Sequence, residues 1–205
     1  IFDAISYDKG GCVLRMLENY VGETNFRAGL KKYLSSFKYG NAQGQDLWDA
    51  IGKASKMPVS AMVNSWLKQP GFPQVEITQN DKSLVLKQDR FLMEPTPKTQ
   101  KGLWHIPITL GLGNETVTKL ITKKSITVQT PSSPGFVANI GRTGFYRVKY
   151  ADGILLDLKM LVDQKQIPHV DRWAIQNDLF ALCIAGKEDV ANYLDFTDAY
   201  FDEVS

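Results

Sequence analysis

Hydrophobic positions change their period twice along the chain. From Val13 the apolar residues Val13, Met16, Leu17, Tyr20 and Val21 fall at i, i+3, i+4, i+7 and i+8, one face of a helix. "NFRAGLKKYLSSF" repeats that spacing with Phe26, Leu30, Tyr33, Leu34 and Phe37, and "QDLWDAIGKAS" with Leu47, Trp48 and Ile51. A fourth helix is predicted over "MPVSAMVNSWLKQ", with Pro58 at its first position, where a missing N–H is tolerated, and Met62, Val63, Trp66 and Leu67 as its buried face. "QPGFP" ends it. From Pro73 the period drops to two: "QVEIT" and "SLVLK" alternate about the turn-rich "QNDK". "WHIPITLGL", "TVTKLIT", "SITVQ" and "GFYRVKY" add short β-rich runs, broken by "GNE" and "TPSSPG". Pro107 predicts an edge position or a bulge, because proline cannot donate to a ladder. After Asp152 helical spacing returns through Ile154, Leu158, Leu161 and Val162, then Ile175, Leu179, Leu182 and Cys183. The pattern predicts helices, a small antiparallel β-sandwich, and helices again.

One stretch conflicts with its own periodicity. In "ISYDKGGCVLRMLENYV" two adjacent glycines, Gly10 and Gly11, stand at the start of a good amphipathic helix, each costing about 0.5–1 kcal/mol against alanine. If that helix already includes Tyr7, the glycines sit at i+3 and i+4 from it and leave one flank of the phenol bare. Two explanations are open: another helix packs closely there, or something approaches the tyrosine.

Composition narrows the classes. At 205 residues and 43% hydrophobic content the chain can bury real cores, and 24 basic against 22 acidic residues, a net charge of +2, are well mixed. No charge field marks a nucleic-acid or membrane partner, and "KYLSSFK" with Lys31 and Lys32 reads as a solvated helix face. Cys12 and Cys183 lie far apart in helix-like apolar contexts, which suits buried reduced thiols and a cytoplasmic setting. No apolar run approaches the roughly 18–20 residues a membrane span needs. The chain opens "IFDAIS" without methionine and stops at "YFDEVS" inside a helical pattern, so it reads as a piece of a longer polypeptide.

Self-contained chemistry is scarce. His105 and His169 are far apart, with no second histidine or cysteine pair at metal-ligand spacing, so structural roles and no zinc site within this chain are expected. Trp48 and Trp66 fall on helix core stripes. Tyr7 remains: a phenolic hydroxyl can donate a hydrogen bond to a developing oxyanion when the rest of a site lies elsewhere.

The residues also carry a resemblance. "SYDKGGCVLRMLE" resembles the segment of the aminopeptidase N family of zinc aminopeptidases that bears the catalytic tyrosine, downstream of the H-E-x-x-H zinc motif. "LWDAIGKASKMPVSAMVNSWLKQPGFPQVEI" resembles the end of that family's catalytic domain. "WHIPIT" and "NIGRTGFYRVKY" resemble strands of the sandwich that follows, and "IPHVDRWAIQNDLFALCIAG", with Asp171, Arg172, Asp178 and Phe180, the first helices of the C-terminal helical domain. Four motifs in the expected order cover nearly the whole chain. The resemblance implies a multidomain α and β architecture: residues 1–71 the helical end of a thermolysin-like catalytic domain, 72–152 an antiparallel β-sandwich, and 153–205 the beginning of a superhelical α-domain. It implies Zn²⁺ in the full-length enzyme and none held by this chain, since H-E-x-x-H, its distal glutamate and the G-x-M-E-N amine-binding loop belong before Ile1. It makes Tyr7 the catalytic, oxyanion-stabilising residue, peptides the substrates, and a larger protease complex a partner in an archaeal setting, as in tricorn-interacting factors. On this basis Gly10 and Gly11 keep the tyrosine's flank open to substrate. A different class, a non-catalytic sandwich module for interaction or scaffolding, fits the same fold; a carbohydrate-binding reading rests only on the aromatics.

Overall fold

A computed structural model of the chain describes residues 5–80, 82–94, 102–112, 115–129 and 135–203. A π-helical turn, Ile5–Lys9, runs directly into α1 (Gly10–Val21), followed by α2 (Glu23–Ser36), α3 (Gly44–Ser55) and α4 (Val59–Leu67). Val13, Met16, Leu17 and Val21 are buried as their spacing predicts, and so are Ile51, Met62, Val63 and Trp66. Leu67 is not: it lies at the last turn of α4 and is 53% exposed. The stripe of α2 is also only partly covered, Phe26, Leu30, Tyr33 and Phe37 being half-buried and Leu34 exposed.

What α2 does bury is Gly29. A Cβ there would stand 2.6 Å from Ile51 Cα and 2.8 Å from its Cγ1, so α2 and α3 cross with backbone against side chain and no room between. Gly29→Ala gains about 0.5–1 kcal/mol of helix propensity. Overpacking at a site bounded by backbone costs about 1–3 kcal/mol, so a lower denaturant midpoint is expected by chemical unfolding.

Seven strands follow among the described residues. β1 (Pro73–Asn80) and β2 (Ser83–Arg90) form the hairpin read from "QNDK", Asn80 opposite Ser83. With β5 (Ser125–Gln129) and β7 (Arg147–Tyr150) they make a four-stranded sheet in the order β5-β2-β1-β7. A three-stranded sheet has the order β4-β3-β6, from β3 (Ile106–Leu112), β4 (Glu115–Ile121) and β6 (Phe136–Ala138). The expectation of a purely antiparallel assembly is corrected here: β7 pairs with β1 in parallel, Val75 opposite Val148. The long path between them, through the second sheet, supplies the crossover a parallel pair requires. β6, three residues long, carries too little pattern to be predicted. Pro107 lies in the central strand of its sheet, but β6 pairs only with Leu110–Leu112, so at Pro107 the strand is paired on the β4 side alone.

The inward residues of both sheets, among them Ile77, Leu84, Leu86, Ile106, Ile108 and Leu110, share one buried cluster with residues of α1, α4, α5 (Asp152–Asp163) and α6 (His169–Ile184). Gln88 occupies an inward position of β2 at 1% exposure and is fully bonded: Nε2 donates to the Trp104 and Lys123 carbonyls, and Oε1 accepts from the Trp104 amide. Helix α7 (Val190–Thr197) is capped by the Asp189 carboxylate, which accepts from Ala191 N. The cysteines depart from expectation: Cys12 is exposed and Cys183 half-buried, because each falls beside rather than on its helix's core stripe.

Candidate active site

Tyr7 sits in the π-helical turn and is 58% exposed. The helix does include it, as the glycine argument supposed, but a π turn closes i to i+5, so the i+3/i+4 alignment with Gly10 and Gly11 is shifted by about one residue. Single π turns inside helices concentrate at functional sites, because the extra residue re-aims side chains. A Cβ built on Gly10 or on Gly11 would meet nothing within 4 Å outside the helix's own backbone. Among the described residues, then, nothing packs against these glycines as Ile51 packs against Gly29.

The turn is fastened from behind. Lys9 Nζ donates to the carbonyls of Gln69 and Gly71, each at 3.2 Å, and Arg90 Nη1 donates to the Pro70 carbonyl between them. Burial, with the neighbouring Arg90 charge, lowers the Lys9 pKa. Gln69 Nε2 donates in turn to the Ser65 and Leu103 carbonyls. Trp66 Nε1 donates to the His105 carbonyl at 3.0 Å and Ser65 Oγ accepts the His105 amide, so α4 is bonded to the lead-in of β3. Sequence reasoning missed Lys9; its partners lie 60 and 62 residues away, and no local pattern announces them.

A second polar centre joins β7 to α6. Asp178, 4% exposed, accepts from Arg147 Nη1 at 2.8 Å and Val148 N at 2.9 Å, with Arg142 Nη1 at 3.5 Å. Burial pushes its carboxyl up, opposed by the two arginines and the amide. Asp171, also buried, accepts Gly141 N at 2.6 Å, and burial raises its pKa against that bond. Arg172 is paired with Glu203 and donates to the Ile167 carbonyl at 2.7 Å, while Phe180 is 44% exposed against Tyr193. Three of the four helical-domain positions singled out from sequence thus make polar ties within the fold. A cleft of about 380 Å³ opens where α1 meets this centre, lined by Cys12, Arg15, Phe72, Arg142, Phe145 and Trp173.

Comparison with known proteins bears on all three segments. Residues 1–66 match the peptidase family M1 domain, and residues 136–205 match the ERAP1-like C-terminal domain. Relatives align from end to end: a probable aminopeptidase 2 of Sulfurisphaera tokodaii, 36% identical over 94% of this chain, and a leucyl aminopeptidase of Saccharolobus solfataricus, 36% identical over 99%. The tricorn protease-interacting factor F2 of Thermoplasma acidophilum is likewise 36% identical over 99% of the chain. The chain is similar to aminopeptidases, and its first 66 residues to the M1 peptidase family. It covers 24%, 25% and 25% of those three relatives, about a quarter of their length.

No group of three His, Cys, Asp or Glu side chains able to hold a metal ion occurs among the described residues. His105 lies half-buried beside α4 and His169 is exposed at the start of α6. The described residues thus offer no ready-made metal-binding group. Nor do the tryptophans line one groove: Trp66 and Trp104 are fully buried and 6.4 Å apart, whereas Trp173 is exposed under the Arg142 guanidinium. The carbohydrate-binding reading loses its basis with them. No helix among the described residues is long and apolar enough to cross a membrane.

Proposed function

We propose that this chain is the tyrosine-bearing portion of a zinc-dependent aminopeptidase that removes N-terminal residues from peptides, with Tyr7 donating its hydroxyl proton in a hydrogen bond to the oxyanion that forms at the scissile carbonyl. The observation that carries this reading is the exposed Tyr7 on a π turn beside two glycines with open space over them, inside the stretch that matches the M1 domain. Zinc and the substrate's α-amine would be held by residues outside this chain. Residues 1–71 would close the catalytic domain, 72–152 form the sandwich, and 153–205 begin a helical array. The exposed apolar side chains Trp173, Phe180, Ile184 and Leu194 on α6 and α7 suit a surface on which further helices stack. Since relatives named tricorn protease-interacting factor F2 align over nearly all of the chain, a larger protease that delivers peptides is the corresponding partner, in the cytoplasm.

The test compares the 205-residue chain with the same chain produced together with its upstream coding sequence. The longer protein is expected to release the fluorophore of an aminoacyl reporter and to lose that activity to a chelator. The 205-residue chain is expected to hydrolyse no reporter and to hold less than about 0.1 zinc per chain by metal analysis, a catalytic zinc needing about three protein ligands. One zinc per chain surviving dialysis would overturn the reading.

A further inference from the structure

Tyr7 is carried on a π turn that runs straight into α1, and Lys9, at the junction, has helical backbone angles and makes no side-chain cap. Two glycines follow, each lowering helix stability, and a Cβ on either would meet nothing within 4 Å among the described residues. The π turn itself is a rare geometry that persists only where the surroundings impose it. Yet the phenol must be held closely, because a displacement of about 1 Å can cost a hundredfold in rate.

We propose that Lys9 is a positioning residue for Tyr7: its ammonium, seated between the Gln69 and Gly71 carbonyls, fixes the rotation and height of the π turn that bears the phenol. The proposal rests on the reading of Tyr7 as oxyanion donor. The seat is built for a cation. Three successive carbonyls, those of Gln69, Pro70 and Gly71, accept from two basic side chains arriving from different elements, Lys9 from the π turn and Arg90 from β2. The seat is also rigid, since Gln69 is bonded to both α4 and the lead-in of β3, and the Phe91 amide donates to the Phe72 carbonyl at 2.9 Å. Lys9 is half-buried, so its ammonium gives up water for these carbonyls and would leave them unpaired if removed. It lies two residues from Tyr7 in the same π turn, and helical backbone is continuous between them, so a shift of Lys9 is transmitted directly. The same tie links the tyrosine to the turn that leads into the sheets, which makes the sheet region part of what aims the phenol.

The test uses Lys9→Met, which keeps the stem and removes the donors, and Lys9→Arg, which keeps charge and donors. In the 205-residue chain, amide hydrogen exchange over residues 7–12 is expected to speed by about tenfold or more in Lys9→Met, with β1 and β2 amides unchanged and the Tyr7 ring resonances shifted; Lys9→Arg should stay within about threefold. In the reporter-active longer protein, Lys9→Met is expected to lower kcat by about tenfold with KM within about twofold, and the Tyr7→Phe/Lys9→Met double variant to be no slower than Tyr7→Phe alone. Unchanged exchange overturns the tie. A double variant slowed by the product of the two single effects overturns action through Tyr7. Normal turnover in Tyr7→Phe by itself overturns the reading of Tyr7 and the kinetic half of this proposal, while the exchange measurement still decides separately whether Lys9 holds the turn.

Discussion

Tyr7→Phe, in the reporter-active protein, is expected to lower kcat by about 10²–10³, the usual effect of deleting one oxyanion donor and equivalent to about 2.7–4 kcal/mol of transition-state stabilisation. KM is expected to hold. The hydroxyl acts on charge that develops at the carbonyl oxygen as the tetrahedral species forms, an interaction scarcely present in the bound substrate, so its loss appears equally in kcat and kcat/KM. Phenylalanine keeps the ring of this largely exposed residue, so the unfolding midpoint and metal content are expected to match the parent. Those two controls separate the oxyanion role from a structural one. A fall in kcat of less than about fivefold, under about 1 kcal/mol, is too small for a direct donor and would sink the assignment.

The largest stability effect is expected at Asp178. Replacing it by alanine leaves Arg147 without its 2.8 Å carboxylate partner, removes the carboxylate 3.5 Å from Arg142, and strands the buried Val148 amide. Breaking a buried, hydrogen-bonded ion pair from one side costs about 3–5 kcal/mol. Both arginines retain some solvent, with 22% and 25% of their side chains accessible, so the lower end, about 3 kcal/mol, is expected. For a protein of this size that is a Tm lower by about 6–12 °C in calorimetry. Asp178→Asn is expected to cost about half as much. Its amide oxygen can still accept from Val148, and burial already disfavours the ionised carboxylate, so the charge itself contributes less than the bonds it accepts. Equal losses for the alanine and asparagine variants would mean that the charge, not the bonding geometry, holds β7 to α6.

Secondary structure was largely legible before any coordinates. Helices α1 to α6 and strands β1 to β5 and β7 follow from period and composition, because each segment's choice of apolar residues records the face it can bury. The misses are physical. β6 is too short to show a period, and the parallel pairing of β1 with β7 is a relation between residues 73 positions apart, invisible to any local pattern. Leu34 and Leu67 lie on correct stripes yet face solvent, since periodicity assigns a face but not whether another element arrives to cover it.

The candidate site divides in the same way. Tyr7 and the glycine pair were readable as an anomaly, because glycine has a known cost in a helix and that cost asks for a reason. The sequence could not say which glycines are bare and which are crossed by another helix. Gly10, Gly11 and Gly29 are the same residue in the same kind of segment; only the tertiary structure shows open space at the first two and the Ile51 backbone at the third. Nor could it show the π turn, whose extra residue is imposed by what the turn is fastened to. Lys9 illustrates the reason most directly. One lysine among many in the chain acquires a fixed place only when folding brings the carbonyls of Gln69 and Gly71 to it from 60 residues away. Local spacing sets which helices and strands form. Which side chains become buried, paired or aimed is decided by contacts distant in sequence, and those exist only once the chain has closed on itself.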